Sequence, residues 1–447
     1  MSSLELTKTY LIRNALIPYN DEIVKKDLLI ENGKIAEISD KIRKQITFDV
    51  IDSKGQFLFP GFIDIHTHLN CKIGKFWVAD NYESGTEIAV DNGITTLFNF
   101  ITQSKVEDPS ITYLSEIESL KKQKVYCDVY FHFTPFKENY LEVLSKIDNN
   151  FIKIIKLYTT YKQAGLYYSY KEIEEIFKKF KNKNFTYLIH CEDEEQLNKD
   201  IFEVVEFSKP YSHAIARSKS AEIIAVREIL ELAKKYKQKV HFVHISTPQA
   251  AIDINKAKSQ GVDVSCETCP QYLILHDELL SEENGHIYVC SPPLRSKNIV
   301  KKNRELLVNE IFDLVATDHC AFLKKDKDNW QKDFRNIPNG LPGIGALPHV
   351  VFNLFDDFSH NNLLKIYRLL CENPAKVTGI YPKKGKIEIG SDASFVCFKV
   401  FKHNTVKIRS TYQDCYDPYE NFSSKLKINF VISNNRLFTK SKNDGEK

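Results

Sequence analysis

Short apolar runs, each closed by a polar or turn-forming cluster, recur through the middle of the chain at 62–68, 95–100, 125–133, 151–158, 185–192, 240–246, 263–269 and 314–320. Runs of this length without polar alternation suit strands buried on both faces. Between several of them the apolar spacing shifts to a 3.6-residue period, as in 220–235 and 248–259, which predicts helices. Eight buried strands alternating with helices is the count of a (β/α)8 barrel, an α/β fold. The two ends read differently. Residues 11–59 form short alternating strands broken by turn signals, notably Glu31-Asn32-Gly33-Lys34. Residues 386–438 are strand-like again, with turns at Gly390-Ser391-Asp392 and Ser433-Asn434-Asn435. One small β domain drawn from both termini is the economical arrangement; two independent β modules are the alternative.

The composition narrows the class. The chain has 447 residues, 43% hydrophobic and 27% charged, with 16 Gly and 15 Pro, which excludes collagen-like and wholly disordered readings. Its 62 basic and 59 acidic residues leave a net charge of +3, so neither nucleic acid nor an anionic membrane is an expected partner. The first twenty residues lack the apolar centre of a signal peptide, and no window approaches a transmembrane span. Ten cysteines scattered through strand-like runs read as reduced, buried thiols, and a cytoplasmic location is expected.

The candidate chemistry lies at the strand ends. His66-Thr67-His68 closes the first run, and alternation puts His66 and His68 on one face together with Asp64. Taken alone, the pair suits either a divalent-metal half-site or two hydrogen-bonded, half-buried histidines. His190, His244 and Asp318 stand near the ends of three further runs, and packing does not readily explain all of them together. His241 has the opposite parity to His244 and is expected to face the helices; His319 is expected to face away from Asp318. Lys156 ends an otherwise apolar strand, where a bare ammonium is costly. It either pairs with Asp318 or Asp64, or is carboxylated by carbon dioxide to an anion able to bridge two metals.

Several segments together carry a family resemblance. Pro60-Gly-Phe-Ile-Asp-Ile-His-Thr-His68, Lys156-Leu-Tyr-Thr-Thr-Tyr161-Lys162 and Cys266-Glu-Thr-Cys-Pro-Gln-Tyr-Leu273 are three of them. The others are Cys290-Ser-Pro-Pro-Leu-Arg295, Ala316-Thr-Asp-His-Cys320 and Ile337-Pro-Asn-Gly340. They resemble the cyclic amidohydrolases, and within those the dihydropyrimidinase/hydantoinase family. The likeness continues through Asn373-Pro-Ala-Lys376 and Gly390-Ser-Asp-Ala393, so it spans essentially the whole chain. It implies a barrel at 60–384 and a β-sandwich shared between 1–59 and 385–447. It also implies two divalent metal ions, usually zinc, one held by His66, His68 and Asp318 and the other by His190 and His244. Carboxylated Lys156 and a hydroxide would bridge them. Tyr161 matches the tyrosine that donates to the developing oxyanion, and Ser291 and Asn339 match positions whose backbone grips the cyclic amide. Asp318 would carry the proton from the attacking hydroxide to the leaving ring nitrogen.

The expected activity is metal-dependent opening of a dihydropyrimidine or hydantoin ring to an N-carbamoyl amino acid, by a homotetramer. Two readings compete. A neighbouring cyclic amidohydrolase, allantoinase or dihydroorotase, is one, although dihydroorotases follow the His-x-His pair with an Arg where this chain has Leu69-Asn70-Cys71. A non-catalytic scaffold homologue is the other, and such proteins lack metal ligands that are all present here. Cys266-x-x-Cys269 has no second pair at zinc-ribbon spacing and reads as core strand.

Overall fold

A computed structural model describes residues 2–43, 49–403 and 405–439 of the chain. All eight expected central strands form. They are Phe62–Thr67, Ile94–Thr102, Asp128–Thr134, Ile154–Tyr158, Thr186–His190, Lys239–Phe242, Val264–Thr268 and Leu314–Val315, here the first to eighth barrel strands. They pair in chain order and in parallel, each with its sequence neighbours. The eighth meets the first through the Thr67–His319 bridge and through Asp64, whose carboxylate accepts from Thr317 N at 3.0 Å and Thr317 Oγ1 at 2.6 Å.

Burial on both faces explains the continuous apolar runs. Ile63, Ile65, Phe98, Phe100, Leu188 and Val243 fill the barrel interior. Phe62, Leu97, Ile155, Ile189 and Phe242 point the other way, into the core beneath the helices. The helix Lys219–Tyr236 shows how that outer layer is made. Ser218 caps its start, Lys237 ends it in a left-handed conformation, and Ala221, Ala225, Val226, Ile229 and Ala233 form its buried stripe. Pro248–Ser259 begins with proline in its first turn, where the missing N–H costs nothing.

The termini share one sheet. Its strand order is Ser2–Glu5, Arg436–Thr439, Leu426–Ser433, Phe395–Val400, Phe57–Pro60, Thr9–Tyr19, Glu22–Glu31, Lys34–Ser39, with Asp49–Asp52 also paired to Thr9–Tyr19. Because Phe395–Val400 pairs with both Phe57–Pro60 and Leu426–Ser433, two independent modules are excluded. This β-sandwich domain has its own core of Tyr10, Ile12, Ile17, Leu28, Ile30, Leu58, Phe395 and Ile432. All ten cysteines are free and all but Cys71 are buried, including Cys266 and Cys269. Among the described residues no helix is long and apolar enough to cross a membrane.

Candidate active site

The expected ligands converge where the barrel strands end. Asp318 Oδ1 lies 3.1 Å from both His66 Nε2 and His68 Nε2. The His244 ring stands 5.4 Å from that of His66 and 4.4 Å from that of His190, centroid to centroid. Donor atoms of His66, His244 and Asp318 all lie within 4.8 Å of one another. That trio draws from both ligand sets implied by the resemblance, so the two sets interleave in one cluster. His244 Nδ1 is buried without a hydrogen-bond partner. A buried, unpartnered imidazole nitrogen beside a carboxylate and two more imidazoles fits a borderline-soft divalent cation.

Three of these residues leave the ordinary backbone regions. Tyr161, His244 and Asp318 have φ of 68°, 42° and 49°, values that side-chain-bearing residues seldom adopt. The conformation corrects one expectation. The sixth strand stops at Phe242 and the chain turns at His244, so alternation does not carry through to it. His241 therefore does not face the helices. Its Nε2 bonds Glu267 Oε2 at 3.0 Å, and Glu267 Oε1 lies 2.5 Å from His66 Nδ1. Asp64 lies at the seam with the eighth strand, where its carboxylate accepts from Thr317 and, at 3.2 Å, from His66 N. His319 does face away, bonding Asp80 Oδ2 at 3.1 Å and accepting from Gly343 N at 3.0 Å.

Two carboxylates had no place in the sequence reading. Glu267 joins His66 to His241, and Glu192 accepts from His190 Nε2 at 2.7 Å while pairing with Arg217. Each bonds one ring nitrogen of a candidate ligand, which fixes the imidazole nitrogen that faces the cluster. A signal existed for both: each is a glutamate within an apolar, strand-like motif, Cys266-Glu-Thr-Cys and His190-Cys-Glu192.

Lys156 is only 1% exposed. Among the described residues no carboxylate lies within ion-pair distance of it, so the expected alternative of a salt bridge with Asp318 or Asp64 does not form. Its amine sits 5.0 Å and 5.1 Å from the Phe100 and Tyr158 ring centroids. Burial pulls its pKa down to about 8, against the opposing pull of Asp318 and Glu267. Burial lowers His190 to about 4 and also lowers His68. For His66 burial works the same way, but Glu267 and Asp318 outweigh it and raise the imidazole. Burial would raise Asp318, yet His66, His68 and His244 hold its carboxyl well below the usual range, so it is ionised at neutral pH.

Of the remaining expected residues, Tyr161 joins the cluster, while Ser291 and Asn339 lie on two segments beside each other. The Tyr161 ring is 5.0 Å from that of His190, and burial raises its phenol, keeping it protonated and able to donate. Ser291 is buried, with its hydroxyl 3.2 Å from His213 Nε2. Asn339 is half-buried, and the bond from Gly340 N to Val289 O at 3.1 Å brings its segment beside that of Ser291.

Comparison with known proteins agrees with this geometry. The chain matches the amidohydrolase family over residues 57–437. It is 31% identical to a D-hydantoinase of Geobacillus stearothermophilus, over 92% of this chain and 89% of that protein. It is 29% identical to a D-hydantoinase of Ralstonia pickettii, over 86% and 85%. Among solved structures, the dihydropyrimidinase of Brevibacillus agri superposes with a TM-score of 0.88 at 28% identity, covering 97% of this chain and 95% of that one. The chain belongs to the amidohydrolase family, on its hydantoinase and dihydropyrimidinase branch.

Proposed function

We propose that this chain hydrolyses the amide bond of an uncharged cyclic substrate, a 5,6-dihydropyrimidine or a hydantoin, to the N-carbamoyl amino acid. The observation that carries the reading is the convergence of His66, His244 and Asp318 beside the unpaired Lys156 at the barrel mouth. In this reading His66, His68 and Asp318 would hold one divalent ion and His190 and His244 the other, with a carboxylated Lys156 as a further anionic ligand. Zinc is the metal we assign. Such ions, when bound, acidify water and polarise an amide carbonyl.

The chain's own groups supply the remaining steps. Ionised Asp318 accepts the proton of the attacking water as the new C–O bond forms. It returns that proton to the ring nitrogen as the C–N bond breaks, which spares the leaving group from departing as an amide anion. Tyr161 donates its hydroxyl hydrogen to the carbonyl oxygen as that oxygen gains charge, an effect worth about 3–4 kcal/mol for a well-placed donor. Backbone groups of Ser291 and Asn339 grip the amide edge. Glu267 and Glu192 keep the His66 and His190 imidazoles aimed at the cluster.

The preference for an uncharged ring has two supports. No Arg follows His68. The guanidinium nearest Tyr161, that of Arg217, is already committed to Glu192, whereas a carboxylate-binding site needs a free fork. Ring opening of dihydrouracil, 5-substituted hydantoins, allantoin and dihydroorotate by the metal-loaded protein tests this, with Asp318→Asn as the inactive control. Higher catalytic efficiency on dihydroorotate than on the first two would overturn the substrate assignment. We further read the chain as a cytoplasmic homotetramer with domains at 1–59 plus 385–447 and 60–384, the assembly being open to sedimentation analysis.

A further inference from the structure

Arg217 touches two parts of the machinery at once. Its guanidinium carbon lies 5.2 Å from the centroid of the Tyr161 ring. Its Nε donates to Glu192 Oε1 at 3.0 Å, and its Nη2 donates to Oε2. The same Oε2 accepts from His190 Nε2 at 2.7 Å. The Arg217 backbone is anchored from elsewhere. Its carbonyl accepts from Arg295 Nη1 at 2.7 Å, and the next residue, Ser218, donates its N–H to Asp200 Oδ2 at 2.9 Å and caps the helix Lys219–Tyr236. Tyr161, by contrast, stands on a loop in a left-handed conformation, with ring neighbours Tyr158, His190 and Arg217. A phenol that must meet a developing oxyanion needs its ring held to within about half an ångström.

We propose that Arg217 is a positioning residue for the reaction: its guanidinium, lying over the Tyr161 ring, seats that ring, while its N–H fork fixes the His190 imidazole through Glu192. One cation, anchored by a helix start, thereby sets the oxyanion donor relative to the metal-binding imidazoles. The inference rests on the hydrolase reading, through the role given there to Tyr161. Lysine offers no equivalent, because a point ammonium cannot both stack on a ring and fork onto a carboxylate.

The test uses the metal-loaded, full-length protein. Arg217→Gln alone would strand the buried Glu192 charge. The informative variant is therefore Arg217→Met combined with Glu192→Gln, which keeps an acceptor for His190. Its kcat is expected to fall roughly tenfold or more, with KM within about threefold of wild type. Its metal content by elemental analysis should equal that of wild type. In a Tyr161→Phe background the same pair of changes should cost less than about threefold, because the ring then has no hydroxyl to place. Equal losses in both backgrounds would overturn the inference while leaving the hydrolase reading intact, and so would a loss of kcat that tracks a loss of metal. A Tyr161→Phe protein as active as wild type would overturn the inference and the role given to Tyr161, and would leave the hydrolase reading standing.

Discussion

The Lys156 amine lies beside two aromatic rings, and burial draws its pKa down to about 8. Roughly a tenth to a fifth of it is therefore neutral at pH 7 to 7.4, far more than of an ordinary lysine, and open to reaction with carbon dioxide. Lys156→Ala should reduce turnover at least ~100-fold and lower the content of both metals. It should not unfold the metal-free barrel, because it removes a buried cation that has no carboxylate partner. A small carboxylic acid in excess should restore part of the activity by occupying the vacated space. An active, metal-loaded Lys156→Ala protein would end the carbamate reading. His213 offers a separate test, of pH dependence. Burial first, and then Arg217, push its imidazole down to about 3, against an ordinary value of 6.5. Between those values the unfolded chain holds the proton and the folded one does not, so stability rises with pH across that window. This contribution is complete above pH 6.5 and is lost as pH falls toward 3. Between pH 7 and 5 the wild type should therefore lose about 2 kcal/mol more than His213→Gln, as read from denaturant unfolding. Identical losses would count against a neutral buried His213. At this scale the members of the polar cluster were legible in the sequence because polar groups stood out at the ends of apolar strands. Glu192 and Glu267 were not, since their partners Arg217 and His241 lie on other elements and only the fold pairs them.

The barrel strands announce themselves because burial on both faces leaves no polar alternation to confuse with helix. Their ends do not. The eighth is only Leu314–Val315, and Asp318 follows in a left-handed conformation that no hydrophobic pattern encodes. Counting faces by alternation fails at such points, and His241 was misplaced for that reason. The loop after this strand is constrained by Gly340, whose φ of +155° and close approach to Cys320 are linked. A Cβ there would come within 2.4 Å of the Cys320 carbonyl oxygen and 2.8 Å of its Cβ. Gly340→Ala must therefore separate the segment carrying Asn339 from the one carrying Asp318. A loss of about 3 kcal/mol in stability is expected, together with at least a ~10-fold fall in kcat/KM. Thermal unfolding and steady-state kinetics would show both. A Gly340→Ala protein unchanged in either would mean that the approach relaxes without moving the site.

At the scale of the whole molecule, the two ends of the chain close on the barrel from outside. Alternating patterns marked strands at both ends, but nothing in those patterns says which strand pairs with which, and the family resemblance was needed to join them. The pairing has a mechanical consequence. Phe398, from the C-terminal segment, packs at 5.5 Å on Phe57, 5.0 Å on Phe59, 6.2 Å on Phe62 and 5.1 Å on Phe352, ring to ring. Phe62 belongs to the first barrel strand and Phe352 to the helix Leu347–Asn353, so this one ring cluster spans sheet and barrel. Lys384 adds a polar tie, pairing with Asp128 Oδ2 at 2.5 Å at the start of the third barrel strand and with Asp392 Oδ2 at 3.2 Å. Sheet and barrel should consequently unfold together. Phe398→Ala would open a cavity in the shared cluster and is expected to cost about 3–5 kcal/mol, lowering the midpoint of a single transition. Calorimetry of that variant is the deciding measurement. Two resolved transitions, with the barrel's midpoint unmoved, would show instead that the β-sandwich rides on an independently stable barrel. The alanine would then leave the arrangement around His66, at the far end of the strand that Phe62 begins, untouched.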